Sequence, residues 1–207
     1  MALKSEDFDF ISNFSALWPI VLGALLATVG GLAGGQLEAF FENRRREKDA
    51  ALFFAEVLST LKILLDMAAD SKKVGDPYGH ITMRMLRSAK REIEIYERNR
   101  ENLYSLKDGD LRAKVHTIIL RLSMPLEGVF DTTQAIDTIM VQLKVPNLTE
   151  TDRLELEKRA ASIRDGREQS FDYLVQTIPE MKPLLDQLGA MSGRDSASIE
   201  RAVSSAT

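Results

Sequence analysis

The most constraining feature of the sequence is a run from Ile11 to Leu37 that contains no charged residue. A helix needs roughly 20 mainly apolar residues to cross the hydrocarbon core of a bilayer, and this run is longer than that. Pro19 suits the first helical turn, where its missing N–H costs no intrahelical hydrogen bond. The run therefore predicts one transmembrane helix over residues 11–37, with Trp18 near a membrane interface.

A cleaved signal peptide is the alternative interpretation of this run. Such a peptide needs a basic region before a short apolar core, whereas residues 1–10 carry Lys4 against three acidic residues and the apolar run is too long. We therefore expect residues 1–10 to be a short extracytoplasmic tail. A tail of this length is too small to fold around a ligand.

The distribution of Lys and Arg around the run predicts its orientation. Only Lys4 precedes it. Four basic residues follow within twenty positions: Arg44, Arg45, Arg46 and Lys48. Because basic residues favour the cytoplasmic side, we expect a single-pass protein of the inner (plasma) membrane with its N-terminus outside and its C-terminal domain cytoplasmic. Acidic neighbours offset these charges, so the cluster is a topology signal rather than a lipid-binding patch.

Small residues recur along one side of the predicted span. They are Gly23, Ala27, Gly31 and Gly35, with Gly30 and Gly34 beside them. Such a glycine stripe lets a second helix approach closely and is typical of a transmembrane packing face, which makes a homo-oligomer possible. Glycine is also common in membrane helices that face only lipid, so both interpretations stay open.

The residues after the span continue a helical pattern without Gly or Pro as far as about Asp70. Apolar residues alternate at spacings of three and four: Ala51, Phe54, Leu58, Leu61, Leu65 and Ala68. This seam suits either a coiled coil with a second copy or packing within the chain. Phe53, Val57 and Leu64 widen it, which favours packing in a bundle.

Turn residues near 71–79, 107–110 and 145–149 divide the remainder of the chain into helices. We predict these over about 81–106, with Ile81 on the buried side, then 111–144, 150–177 and 181–188. Asp110 is the predicted N-cap of the third helix and Thr149 or Thr151 that of the fourth. Pro125 and Gly128 are expected to kink or divide the third helix.

The predicted fold is all-α, with a single N-terminal transmembrane helix continuous with a cytoplasmic antiparallel bundle of about four long helices. The bundle covers residues 38–188. Residues 189–207 are small, polar and serine-rich, and we expect them to be a flexible tail.

The second predicted helix carries basic residues on one face: His80, Arg84, Arg87 and Arg91. They suit an anionic partner such as phosphate, an acidic protein or lipid headgroups. The alternative is an ordinary solvated face in which basic and acidic residues pair four positions apart.

The composition excludes several classes of function. A net charge of −4 argues against nucleic acid as a partner, and the absence of cysteine removes disulfides and thiolate chemistry. Of the two histidines, His116 flanks an apolar face without a metal-binding spacing. No phosphate loop or nucleophile motif is present, so we predict neither an enzyme nor a cofactor or metal site.

The sequence thus predicts a membrane-tethered helical interaction or scaffold protein whose partners are the lipid bilayer and an unidentified protein. The alternative is a signal-transducing subunit in which association of the transmembrane helices changes the packing of the bundle.

Overall fold

The computed structural model describes residues 10–206, without the side chains of residues 10–17, 20, 32, 33, 196, 200 and 204–206. This part of the chain is all-α, as predicted. The helices are α1 (Phe10–Lys72), α2 (His80–Arg98), α3 (Gly109–Gln142), α4 (Glu150–Thr177), α5 (Met181–Ser192) and α6 (Ser196–Ala206), with 3₁₀ segments at Arg100–Ser105 and Ile178–Glu180. The chain forms two compact units, Met1–Arg45 and Arg46–Thr207.

The first unit contains the beginning of α1 and the whole of the predicted span. Within the described residues, no helix is both long and apolar enough to cross a membrane. The predicted span over 11–37 includes the side chains of residues 11–17, 20, 32 and 33, which lie outside that set. The predicted tail over residues 1–10 lies outside it as well, apart from the backbone of Phe10.

The second unit is a bundle of long packed helices around one hydrophobic core. The six residues of the predicted α1 seam are all buried: Ala51, Phe54, Leu58, Leu61, Leu65 and Ala68. Val57 and Leu64 are buried beside them. The widened apolar face of α1 therefore packs within the chain, as predicted. The Phe54 ring meets that of Tyr96 of α2 edge to face, with centroids 5.9 Å apart.

The beginning of α2 differs from the prediction. Ile81 is 64% exposed, and Thr82 and Met83 are buried instead. The hydroxyl of Thr82 lies 2.8 Å from that of Ser71 at the end of α1, which turns Thr82 inward and Ile81 outward. After Arg98 the chain tightens into a 3₁₀ segment, so α2 is shorter than predicted.

The third helix is not divided, because α3 continues through Pro125. Leu122, Leu126 and Val129 are buried on either side of the proline, and their packing holds the helix together across the missing N–H. Gly128 permits a close approach to α4, since a Cβ there would lie 3.1 Å from the Ser170 hydroxyl oxygen.

The helix caps follow local side-chain chemistry. Asp108, rather than the predicted Asp110, caps α3 by accepting hydrogen bonds from the backbone N–H groups of Asp110 and Leu111. Thr149 caps α4 as predicted, with its hydroxyl 3.2 Å from the N–H of Asp152.

Helical structure continues through most of the segment expected to be a flexible tail. α5 extends to Ser192, and α6 places Ile199 in the core with only 2% of its surface exposed. Val203 also packs against the core. The spacing of four residues between these two side chains gives α6 an apolar face.

Candidate functional site

The candidate site is the outer face of α2. The inner face of this helix is anchored by its buried residues, among them Leu86, Ala89 and Ile93. The periodicity of the helix then turns the predicted basic residues to solvent. We call these four exposed residues the basic stripe: His80, Arg84, Arg87 and Arg91. The structure therefore brings the predicted residues together on one surface.

The arginines of the basic stripe have no partners within the described part of the chain. The side chains of Arg84, Arg87 and Arg91 make no ion pair or hydrogen bond there. By contrast, Lys90 on the flank of α2 forms an ion pair with Glu127 of α3, with its Nζ 3.4 Å from the Oε1 of Glu127. The stripe therefore presents three exposed guanidinium groups, with the exposed Glu94 three positions after Arg91.

An apolar pocket lies at the start of the basic stripe. Val74 is 80% exposed and Ile81 is 64% exposed, and both line a cavity of about 350 Å³. His80 also lines this cavity and so belongs to both features. We call it the Val74 pocket, with the lining Ser71, Val74, Asp76, Gly79, His80, Ile81 and Thr82.

A cluster of charged and aromatic side chains holds the α1–α2 loop against α4, and we call it the clasp. Lys72 pairs with Glu168, and its Nζ lies 4.3 Å from the centre of the Phe171 ring. The Tyr78 ring packs under the Arg167 guanidinium at 3.7 Å. The Nε of Arg167 is buried without a hydrogen-bond partner among the described residues, so this ring contact takes the place of a polar one.

The clasp suppresses ionisation of Tyr78. Burial, followed by the nearby Glu168 carboxylate, raises the pKa of the Tyr78 phenol well above its usual range. Lys72 and Glu168 are too far apart in the sequence for any local spacing to relate them. Sequence reasoning missed the clasp for that reason, and its chemistry indicates a structural role.

A second cavity, of about 410 Å³, lies between α3 and α5. The Nη2 of Arg121 donates to the Oε1 of Glu180 at 2.8 Å, and its Nε donates to the Tyr173 hydroxyl at 3.0 Å. This pairing lowers the pKa of Glu180 and raises that of Arg121. The charges of Arg121 and Glu180 thus neutralise each other at the edge of this cavity.

The His116 ring lies in a packed pair. Its Nδ1 is 3.0 Å from the Tyr96 hydroxyl, and the two rings stack. Burial raises the pKa of Tyr96 to about 12, while burial and the Arg100 charge lower the pKa of His116. These contacts make His116 a hydrogen-bonded residue of α3.

The other predicted positions lie on open surface. A Cβ added at any glycine of the stripe would meet no described atom within 4 Å, and Ala27 is exposed. The topology residues Arg44, Arg45, Arg46 and Lys48 are exposed too. In the described part of the chain, no group of three His, Cys, Asp or Glu residues is placed to hold a metal ion.

Comparison with known protein families, with curated proteins and with solved structures finds no match to this chain.

Proposed function

We propose that this protein is a single-pass membrane-tethered helical interaction protein. Residues 11–37 insert into the inner (plasma) membrane, and the bundle over residues 38–188 binds a protein partner from the cytoplasmic side. Tethering holds the binding surface in two dimensions and raises its effective concentration toward other membrane-bound proteins.

The observation that carries the proposal is the apolar surface of the first unit. Val21, Leu25, Leu26 and Val29 are each more than half exposed, and no described residue before Ala50 belongs to the hydrophobic core. A continuous apolar surface of this kind marks a site for lipid or for another protein. The run from Ile11 to Leu37 favours lipid, because it contains no charged side chain that would have to be dehydrated on insertion.

Fractionation of cell membranes tests the tether. Wild-type protein is expected to remain in the membrane pellet after an alkaline carbonate wash. The double variant Leu22→Arg, Leu26→Arg is expected to be released, because each Arg near the centre of a span costs about 2.5–3.5 kcal/mol of insertion free energy.

The matched control places the same charges on exposed methionines of the bundle. The double variant Met67→Arg, Met124→Arg is expected to stay in the pellet, since these side chains are 49% and 74% exposed. Release of the wild type, or retention of the Leu22→Arg, Leu26→Arg variant, would contradict the tether.

The absence of cysteine gives a direct test of orientation. A membrane-impermeant maleimide is expected to label the Ser5→Cys variant in intact cells and the Val74→Cys variant only after lysis. The reverse pattern would place the bundle outside.

A second candidate function is signal transduction by association of the α1 helices. It is favoured by the open face at the glycine stripe, where an added Cβ would meet no described atom within 4 Å. Close packing of two such helices would couple the bundles of two copies.

A further inference from the structure

We propose that the basic stripe and the Val74 pocket together form a docking site for an acidic segment of a partner protein, with one apolar side chain of that segment seated in the pocket. The inference rests on the proposed function for the expectation that the bundle has a partner, and it adds the chemistry of that partner.

The charge of the site comes from three guanidinium groups on successive turns of α2. Arg84 and Arg91 are seven residues apart, which is about 10 Å along a helix. The planar guanidinium donates two parallel hydrogen bonds to a carboxylate, which suits Arg for pairing with Asp and Glu. Because Arg84, Arg87 and Arg91 have no partner within the described residues, an acidic segment can bind them without breaking an existing ion pair.

The Val74 pocket supplies the apolar part of the site. Its volume of about 350 Å³ accommodates one apolar side chain, and its rim includes the exposed Val74 and Ile81. His80 joins the pocket to the stripe. An apolar side chain seated in a pocket that excludes water is the kind of contact in which interfaces concentrate their binding energy.

The acidic residues that follow the stripe favour a protein over a lipid surface. Glu94, Glu97 and Glu101 are exposed along the end of α2 and the 3₁₀ segment after it. A flat anionic bilayer would meet these carboxylates together with the arginines, and the repulsion would offset the attraction. A single peptide segment is narrow enough to follow the stripe and avoid them.

Binding of a designed peptide to the full chain in phosphatidylcholine discs tests the site. The probe is a fluorescein-labelled peptide whose glutamates repeat every three and four residues and whose end carries one leucine. Fluorescence anisotropy is expected to show binding to the wild type. The triple variant Arg84→Gln, Arg87→Gln, Arg91→Gln is expected to weaken binding about tenfold or more.

A matched variant controls for net charge. The substitutions Arg153→Gln, Lys158→Gln and Arg159→Gln remove the same charge from the exposed face of α4 and are expected to change affinity less than about twofold. Equal weakening by both triple variants would show that only total charge matters and would overturn the proposal. Circular dichroism verifies that each variant is folded.

A double-mutant cycle tests the pocket. Ile81→Ser and replacement of the peptide leucine by serine are each expected to weaken binding about fivefold. Their combination is expected to weaken binding no further than either change alone, because both remove the same contact. Fully independent effects would show that the leucine does not occupy the pocket.

Two further outcomes are decisive. If the peptide does not bind, and phosphatidylglycerol vesicles capture the detergent-solubilised chain only when Arg84, Arg87 and Arg91 are present, the occupant is lipid and the proposal is wrong. If the chain does not insert into discs yet binds the peptide in detergent, the tether is contradicted and the docking site is supported.

Discussion

Leu26 and Leu61 belong to the same helix, α1, and have opposite environments. Leu26 is 63% exposed, whereas Leu61 is completely buried in the bundle core. Both lie in apolar stretches, so apolar content does not account for the difference. Around Leu61 the apolar residues are confined to one side by charged neighbours and meet the apolar faces of other helices. Around Leu26 they surround the helix. An amphipathic stretch thus finds its partners within the chain, while an all-round apolar stretch is available to an external one.

Matched Leu→Ala substitutions give the largest expected contrast between the two regions. Leu61→Ala is expected to lower the free energy of unfolding of the bundle by about 2–5 kcal/mol, because it leaves a cavity in a packed core. Leu26→Ala is expected to change it by less than about 0.5 kcal/mol. The measurement is urea unfolding followed by near-ultraviolet circular dichroism of the tyrosines, all of which lie in Arg46–Thr207. Similar losses in the two variants would show that residues around Leu26 pack against the bundle.

Matched glycine substitutions are expected to give the next largest contrast. Gly128→Ile is expected to destabilise the bundle by about 1–3 kcal/mol, because its side chain would press on Ser170 of α4. A Cβ added at Gly31 or Gly35 meets no described atom within 4 Å, and the double variant Gly31→Ile, Gly35→Ile is expected to leave bundle unfolding unchanged. If α1 helices associate through the glycine stripe, this variant instead weakens self-association, which analytical ultracentrifugation in detergent measures. An unchanged oligomeric state would eliminate the signalling alternative.

Substitution of two neighbouring lysines compares the stabilising effect of a packed ion pair with that of a solvated one. Lys72→Met is expected to lower the free energy of unfolding by about 1 kcal/mol, because Lys72 is largely buried between Glu168 and Phe171. Lys73 pairs with Asp70 at 2.8 Å on the surface, where both side chains are more than 70% exposed. Lys73→Met is therefore expected to have no measurable effect in the same urea titration. Equal effects would mean that the clasp does not stabilise the bundle.

The smallest expected effect is a pH dependence from His116. Burial and Arg100 lower its pKa below the ordinary value of 6.5, so the unfolded chain binds a proton at this position more readily than the folded chain. The contribution of His116 to the free energy of unfolding is therefore fully present above about pH 6.5. It is expected to be lost as the pH drops through the lowered pKa. A neutral Nδ1 can accept from the Tyr96 hydroxyl, whereas an imidazolium can only donate.

Unfolding titrations between pH 8 and pH 5.5 measure this dependence. The His116→Gln variant is expected to have a flatter profile over this range than the wild type. An identical slope in both proteins would assign the pH dependence to other groups.

The local sequence pattern predicted the structure correctly where the position of a side chain depends on residues within the same helix. The α1 seam and the Thr149 cap were predictable, because periodicity selects the buried side and a hydroxyl reaches an N–H three residues away. The basic stripe was predictable for the same reason. Pro125 does not divide α3, since packing on both sides of it outweighs one missing hydrogen bond, and the kink stays a prediction. Ile81 was misleading, because Thr82 contacts Ser71 and is buried in its place at the start of α2.

The sequence by itself determined that the chain is helical, where most helices lie, which face of α2 carries positive charge and that residues 11–37 are uncharged. Each of these depends on residues within a few turns of one another. Only the tertiary structure decided that the arginines of the stripe have no ion-pair partner among the described residues, that the Val74 pocket adjoins them and that Lys72, Tyr78 and Arg167 form a clasp. Those features join residues that are far apart in sequence, and their positions depend on how the helices pack.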